Sequence, residues 1–380
     1  MELRAIIVLI IIIVIVALIV REVLIEIARG HIIQGSAIMT SRDADVVARE
    51  EYARWCRMKA QVAFITRGMN ARNAYEARSI LERWNLSTFN FARAESDAKM
   101  RAEFLEKHLF ARDEVDAKIR EMRAIKCDAE SQSRVANIRE SGSAKIITYG
   151  DFARTLSNDR FAQLSRVYSG NRADFDSRIT AMLMRYASLV PGGQQWCLPA
   201  RAYDLLASKY GADLEGFASP INSQMLRIDR GAYCSLFADT DTYFGSRGSF
   251  FDVDLTGHVA IINPPYVIDI MDEVVNKCSA CLESADCVRT RMFIIVPGWT
   301  DAEFYDRLAK SPHLERMLIH PKFAHFYEDM NTGASIVATF AQTIFVLASR
   351  DIKLRDATYA DLTDAVSARH VVANPTISRY

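Results

Sequence analysis

An α/β chain built on a doubly wound, seven-stranded, mostly parallel sheet is the fold these 380 residues predict. Two observations carry that expectation. Seven short β-type runs recur between residues 214 and 348, with helical segments between them, as strands joined by crossover helices do. One run, in HVAIINPPYVIDI (residues 258–270), ends in two consecutive prolines. Prolines cannot continue a central ladder, so they close the strand at the edge where open α/β sheets carry their sites.

The elements follow in order. Residues 5–20, AIIVLIIIIVIVALIV, contain no polar side chain and lie between Arg4 and Arg21. Sixteen helical residues reach about 24 Å, and a snorkelling arginine extends the span. The run has no small-residue cleavage site close behind it, so residues 1–22 are expected to be an uncleaved single-pass anchor in a lipid bilayer. Residues 23–145 form the next segment, rich in Ala, Arg and Glu, without proline and with apolar residues at helical spacing. Helix is expected from residue 40 to Trp84, a break at Asn85, and helix again over residues 94–139. After Ser141 the α/β pattern begins. Helices are expected over 174–189, 199–210, 267–282 and 301–310. Strands are expected over 214–218, 233–237, 250–253, 259–262, 292–296, 317–319 and 343–348. The tail, residues 351–380, carries no clear pattern.

Composition narrows the function classes. Lys plus Arg and Asp plus Glu number 47 each, so the chain is no polycation gripping nucleic acid by bulk charge. Seven cysteines form an odd set without framework spacing, which suits a reducing compartment. Cys278, Cys281 and Cys287 lack a fourth ligand at zinc spacing and read as structural thiols, so no metal is expected.

The chemistry concentrates after the fourth strand. The Asn263 carboxamide oxygen and the Pro264 carbonyl are two acceptors at one strand end, held there by Pro264 and Pro265. Two acceptors facing one cavity suit a group with two N–H donors, such as an exocyclic amine. Holding both hydrogens turns the nitrogen lone pair out of its ring and towards an electrophile, so positioning replaces a strong base. Tyr266 offers a face on which a planar base can stack. The constellation reads as a site for methyl transfer to a nucleobase amine. The first strand ends LEGFASPIN, with no glycine-rich phosphate loop. That disfavours a pyrophosphate cofactor and suits one without phosphate, such as S-adenosylmethionine.

Several motifs then appear in one order: GFASPIN, YCSLFADTDTYFGSRGSFFD, NPPY and FIIVPGW, with MLMRYASLVPGGQQWCLP upstream and PKFAHFYED downstream. In order and spacing they resemble the phosphorylated CTD interacting factor family, cap-specific adenosine N6-methyltransferases that act on the first transcribed 2′-O-methyladenosine. The resemblance covers residues 180–350. It implies a Rossmann-like S-adenosylmethionine-dependent methyltransferase domain over residues 146–350, with capped RNA as substrate. By that resemblance Asn263, Pro264, Pro265 and Tyr266 are the catalytic motif, with Asn263 and Pro264 holding the target N6. Ser219, Pro220 and Asn222, with Phe244, Gly245 and Ser246, border the S-adenosylmethionine site, and Asp239 and Asp241 are candidate ribose ligands or, equally, turn caps. Trp299 lies on the substrate side.

Three features depart from the family pattern. Tyr266 replaces the more usual Phe. Ile268 stands where the family has an acidic residue, and Asp269 follows as the candidate substrate contact. No WW-type module precedes the helical region, so recruitment to the polymerase tail is not implied. Cytosolic chemistry predicts that the catalytic domain faces the cytosol. The competing readings are adenine N6-methylation of another RNA or of DNA, and a membrane-bound cap- or RNA-binding protein that has lost transfer.

Overall fold

The computed structural model describes residues 42–90, 93–127, 135–189, 195–352, 359–371 and 376–377. The anchor expected over residues 1–22 lies outside them; among the described residues no helix is long and apolar enough to cross a membrane.

Four helices come first: α1 (Ala44–Ile65), α2 (Ala71–Asn90), α3 (Arg93–Glu106) and α4 (Val115–Ala124). No proline interrupts them, and Gly68 takes φ +76° in the turn before α2. Asn70 then accepts from the Asn73 amide at 2.8 Å and starts α2. Residues of all four helices, among them Ile65, Ile80, Leu81, Trp84, Phe104 and Met122, bury one another in a core of their own. The expected break at Asn85 does not occur: α2 runs through it, and Asn85 is itself buried. The second expected helix is divided instead, and its last residues belong to a strand.

That strand is β1 (Asn137–Ser141), the first of an antiparallel meander with β2 (Ala144–Tyr149) and β3 (Phe152–Ser157). Both tight turns place a glycine at positive φ, Gly142 at +60° and Gly150 at +59°. Asn, Arg, Glu and Ser dominate β1, which is why its composition reads as helix or loop; pairing with the apolar β2 decides its state.

Next come α5 (Asn158–Val167), α6 (Phe175–Ala187), the two-residue β4 (Trp196–Cys197) and α7 (Ala200–Tyr210). Ser157 caps α5 by accepting from the Arg160 amide at 3.1 Å. The remaining elements are β5 (Leu214–Ala218), β6 (Ala232–Ser235), α8 (Ala238–Asp241), β7 (Val259–Ile262), α9 (Ile268–Glu283), β8 (Arg291–Pro297), α10 (Glu303–Ala309), β9 (Leu314–His320), β10 (Phe326–Asp329), β11 (Ala334–Val337), β12 (Gln342–Ala348), α11 (Ala360–Ala365) and β13 (Thr376–Ile377).

The main sheet has six strands in the order β6-β5-β7-β8-β12-β9. β6, β5, β7 and β8 are mutually parallel, and β12 runs antiparallel between β8 and β9. Alternate residues face opposite sides. Ile261, Phe293, Ile295, Ile344 and Val346 pack with Leu183, Tyr203, Leu206 and Leu362. Ala260, Ile262, Met292, Ile294 and Phe345 pack with Met271, Val274, Cys278, Phe304 and Leu308. Helices therefore cover both faces, as expected for a mixed α/β sheet.

The count of seven strands needs correction. The run at 250–253 is no strand: Phe250–Asp252 form a short 3-10 turn, capped by Ser249, which accepts from the Phe251 amide at 3.2 Å. The Phe250 ring is turned into the sheet against β5, so close that a Cβ on Gly216 would lie 2.7 Å from it. Its hydrophobicity serves that contact rather than an edge pairing. A second sheet, β13-β11-β10-β4, had no counterpart in the sequence reading.

Candidate functional site

The carboxyl ends of β5, β6, β7 and β8 lie along one edge of the sheet, and the expected site residues leave from there. β7 stops at Ile262; Asn263 and Tyr266 are half-buried and Pro264 is buried. The Pro265 carbonyl accepts from the Val267 amide at 2.7 Å, which folds the motif into α9. Among the described residues neither the Asn263 carboxamide nor the Pro264 carbonyl has a hydrogen-bond partner. Both acceptors that the chemistry needs are uncommitted.

Tyr266 is held from several sides. Its ring meets Phe340 edge-on at 5.6 Å and Trp299 at 6.4 Å between centroids. Its hydroxyl lies 2.7 Å from the Tyr327 hydroxyl, which in turn donates to Gln342 Oε1. Burial pushes the Tyr266 phenol well above its usual pKa, so the hydroxyl stays neutral. Trp299 is 37% exposed and also meets Phe304 edge-on at 6.2 Å.

Tyr327, Gln342 and Phe340 were not singled out from the sequence. PKFAHFYED carried Tyr327, but without the fold nothing marked that residue. Trp196 of β4 stacks on Tyr327 at 6.1 Å, and its neighbour Gln195 accepts from the Ser219 hydroxyl at 2.6 Å. The second sheet thus bridges the turn after β5 and the motif after β7.

The turn after β5 is tightly self-satisfied. The Ser219 amide donates to Asn222 Oδ1 at 2.7 Å, and Ser219 Oγ accepts from the amides of Ile221 and Asn222 at 3.1 Å each. Ser219, Pro220 and Asn222 are buried, so these side chains shape the turn rather than reach outward. Beneath them Glu215, also missed in the sequence, accepts from the Tyr203 and Ser223 hydroxyls at 2.7 and 2.9 Å and from the Gln224 amide at 3.0 Å. Burial raises its pKa against those hydrogen bonds.

After β6 the two aspartates separate in role. Asp241 is fully buried and accepts from Tyr186 at 2.5 Å and Thr240 at 2.9 Å; burial pushes its pKa up to about 6. It is a buried acceptor, and the ribose role expected of it does not fit. The Asp239 side chain is 47% exposed and takes two hydrogen bonds from Arg185, at 3.2 and 2.9 Å. Arg185 also grips buried Glu51 of α1 through two 2.6 Å bonds. An oriented, half-exposed carboxylate past β6 suits a pair of hydroxyls, which is what the ribose of S-adenosylmethionine would offer.

Phe244 is a second correction, since its ring is fully buried against Tyr168 and Phe175 and cannot face a ligand. Gly245 takes φ +88°. The Ser246 hydroxyl lies 2.6 Å from that of Ser235, holding the end of β6. Asp269 forms an ion pair with Lys99 of α3, and its side chain is 31% exposed. Ile268, 54% exposed, occupies the first turn of α9 beside the motif. Among the cysteines, Cys278 and Cys287 are buried and Cys281 Sγ lies 3.2 Å from Cys287 Sγ.

A family model described as the phosphorylated CTD interacting factor 1 WW domain matches residues 158–330. Those residues run from α5 through β10 and include the motif after β7. The expectation that the chain has no WW module finds no support in that description. Two curated proteins are similar as well. One is the mRNA (2'-O-methyladenosine-N(6)-)-methyltransferase of Mus musculus, 30% identical over 199 residues, which are 49% of this chain and 27% of that protein. The other, of the same name, is from Homo sapiens, 31% identical over 186 residues, 45% of this chain and 26% of that protein. The chain thus matches about a quarter of the length of these relatives.

Proposed function

We propose that the chain is an S-adenosylmethionine-dependent RNA adenine N6-methyltransferase acting on the cap-adjacent (2′-O-methyl)adenosine of capped RNA. The observation that carries the reading is the pair of uncommitted acceptors, Asn263 Oδ1 and the Pro264 carbonyl, beside the fixed ring of Tyr266 at the end of β7. The names of the similar methyltransferases support it. The order of the six strands, with one antiparallel member, is compatible with a Rossmann-like methyltransferase sheet.

Each residue then has a defined task. Asn263 and Pro264 accept the two N6 hydrogens and turn the lone pair out of the purine plane. Tyr266 carries the base by stacking, and Trp299 closes the substrate side. Asp239, oriented by Arg185, takes ribose hydroxyls of the cofactor. When bound, S-adenosylmethionine supplies an electrophilic methyl group. The proton displaced from N6 passes to solvent, because a carboxamide is too weak a base to retain it.

Asn263→Ala tests the reading. Losing one positioned acceptor removes about 3 kcal/mol of transition-state stabilisation, a rate loss of about a hundredfold. Binding of labelled S-adenosylmethionine should persist. Activity within about threefold of the parent on RNA beginning with capped adenosine would refute the assignment. Running uncapped RNA and duplex DNA beside it discriminates among substrate classes.

The apolar residues 5–20 support a single-pass anchor, with the catalytic domain on the cytosolic side where capped RNA is found. All seven cysteines are free thiols, which agrees with a reducing compartment. Protease treatment of sealed vesicles with the cytosolic face outward should digest the domain; protection until detergent is added would overturn the topology.

A further inference from the structure

The loop between β9 and β10 contains a residue that folding alone does not account for. Phe323 has φ +66°, a left-handed conformation that bulky side chains disfavour. It is also 54% exposed. Of the five non-glycine residues with positive φ among the described residues, it alone is a large hydrophobic side chain left in solvent. Strain held together with exposure is typical of positions kept for function.

The conformation is enforced. The Phe323 amide donates to the Ala338 carbonyl at 2.7 Å, the Ala338 amide to the His325 carbonyl at 3.0 Å, and the Ala324 amide to the Pro321 carbonyl at 3.1 Å. The loop also leaves the sheet at the catalytic edge. Gln342 lies opposite both His320 and Pro297, so the segments carrying Phe323 and Trp299 depart from one row, on either side of β12. Two strand spacings put those departure points about 10 Å apart. Phe340, two residues past the Ala338 anchor, touches the Tyr266 ring. Lys322, exposed beside Phe323, makes no ion pair among the described residues.

We infer that Phe323 and Lys322 form a second platform of the substrate site, the ring stacking on a base next to the target adenine and the ammonium meeting the linking phosphate. The inference rests on the methyltransferase reading and deepens it: the preferred substrate carries at least one nucleotide flanking the target. The flanking base can come from the cap or from the following nucleotide. Capped mononucleotide-length substrate and uncapped ten-nucleotide RNA separate these sources, because only the arm containing the stacked base responds to the substitution.

The test compares the full chain with Phe323→Gly and Phe323→Trp. Glycine relieves the backbone strain and removes the ring, so its Tm should match or exceed that of the parent. Its KM for capped ten-nucleotide RNA should rise about five- to a hundredfold, the range of one base–aromatic stack, with kcat within about twofold. Tryptophan should restore KM. A glycine variant with unchanged KM, or a tryptophan variant as weak as glycine, overturns the inference. Failure of the parent to methylate any RNA would refute the methyltransferase reading; the affinity for the same RNA by fluorescence anisotropy then gives the same comparison, and equal affinities for parent and glycine variant overturn the platform as well.

Discussion

Tyr327→Phe removes the centre of the hydroxyl chain that runs from Tyr266 to Gln342. Tyr327 and Gln342 are buried, with Gln342 Nε2 already lacking a partner. The substitution strips Gln342 Oε1 of its donor and leaves the Tyr266 hydroxyl without its partner. Each stranded buried polar group costs about 1–3 kcal/mol, so the single variant should lose about 2–5 kcal/mol of stability. Tyr266→Phe removes one end only and should lose about 1 kcal/mol, since Tyr327 keeps its bond to Gln342. In the double variant only Gln342 is stranded, and the combined loss should fall about 2–4 kcal/mol short of the sum. Urea unfolding of the full chain, followed by tryptophan fluorescence, measures all four corners. Losses that add to within about 0.5 kcal/mol would refute the coupling. If the coupling holds, the Tyr in place of the more usual Phe has a structural task, and Tyr266→Phe should weaken substrate orientation beyond what stacking alone predicts.

Two further outcomes follow from buried charge. Burial lowers the pKa of His320 and His325 from 6.5 to about 4, so the stability they contribute is complete above pH 6.5 and lost as pH falls towards 4. Asp241, raised from 3.8 to about 6 by burial, acts oppositely: its contribution is complete below pH 3.8 and lost as pH rises through 6. At about 1.4 kcal/mol per pH unit of displacement, each histidine is worth roughly 3 kcal/mol and the aspartate about as much. The Tm of the parent should therefore fall more steeply between pH 6.5 and 4.5 than that of His325→Gln; equal slopes would count against this. Glu51→Ala removes one of the two carboxylates that hold buried Arg185, leaving Asp239, and should cost about 1–3 kcal/mol by denaturant unfolding, whereas a loss under about 0.5 kcal/mol would mean that solvent reaches the guanidinium.

Much of the main sheet was legible because its strands are apolar and its turns are marked. Five expected runs fall within strands of the sheet and a sixth overlaps β6, since Val, Ile and Phe in short runs have few alternatives when both faces are covered. The run at 250–253 misled for the same reason: Phe250 is hydrophobic because it fills the space above Gly216, and composition cannot distinguish that from pairing. β1, β10 and β11 were invisible because four or five residues with Glu, Asp, Ser or Asn carry no periodic signal, and β4 because it is only Trp196 and Cys197; distant partners determine their state. At the site, Asn263 to Tyr266 stood out because two prolines are hard to explain otherwise. Tyr327, Gln342 and Glu215 did not, because a lone polar residue in an apolar run looks the same whether it is buried in a network or exposed. Asp241 was misassigned for the converse reason: an aspartate near a strand end can face a ligand or a tyrosine, and only the fold decides between them.

The Arg185 clasp joins residues 134 positions apart, from α1 through α6 to the segment after β6. It restricts how the gene can be rearranged over evolutionary time. A recombination event that moved the sheet onto a different leading segment would have to bring a carboxylate to the place of Glu51, or leave buried Arg185 to Asp239 alone. Exchange of modules by shuffling is therefore penalised at this junction.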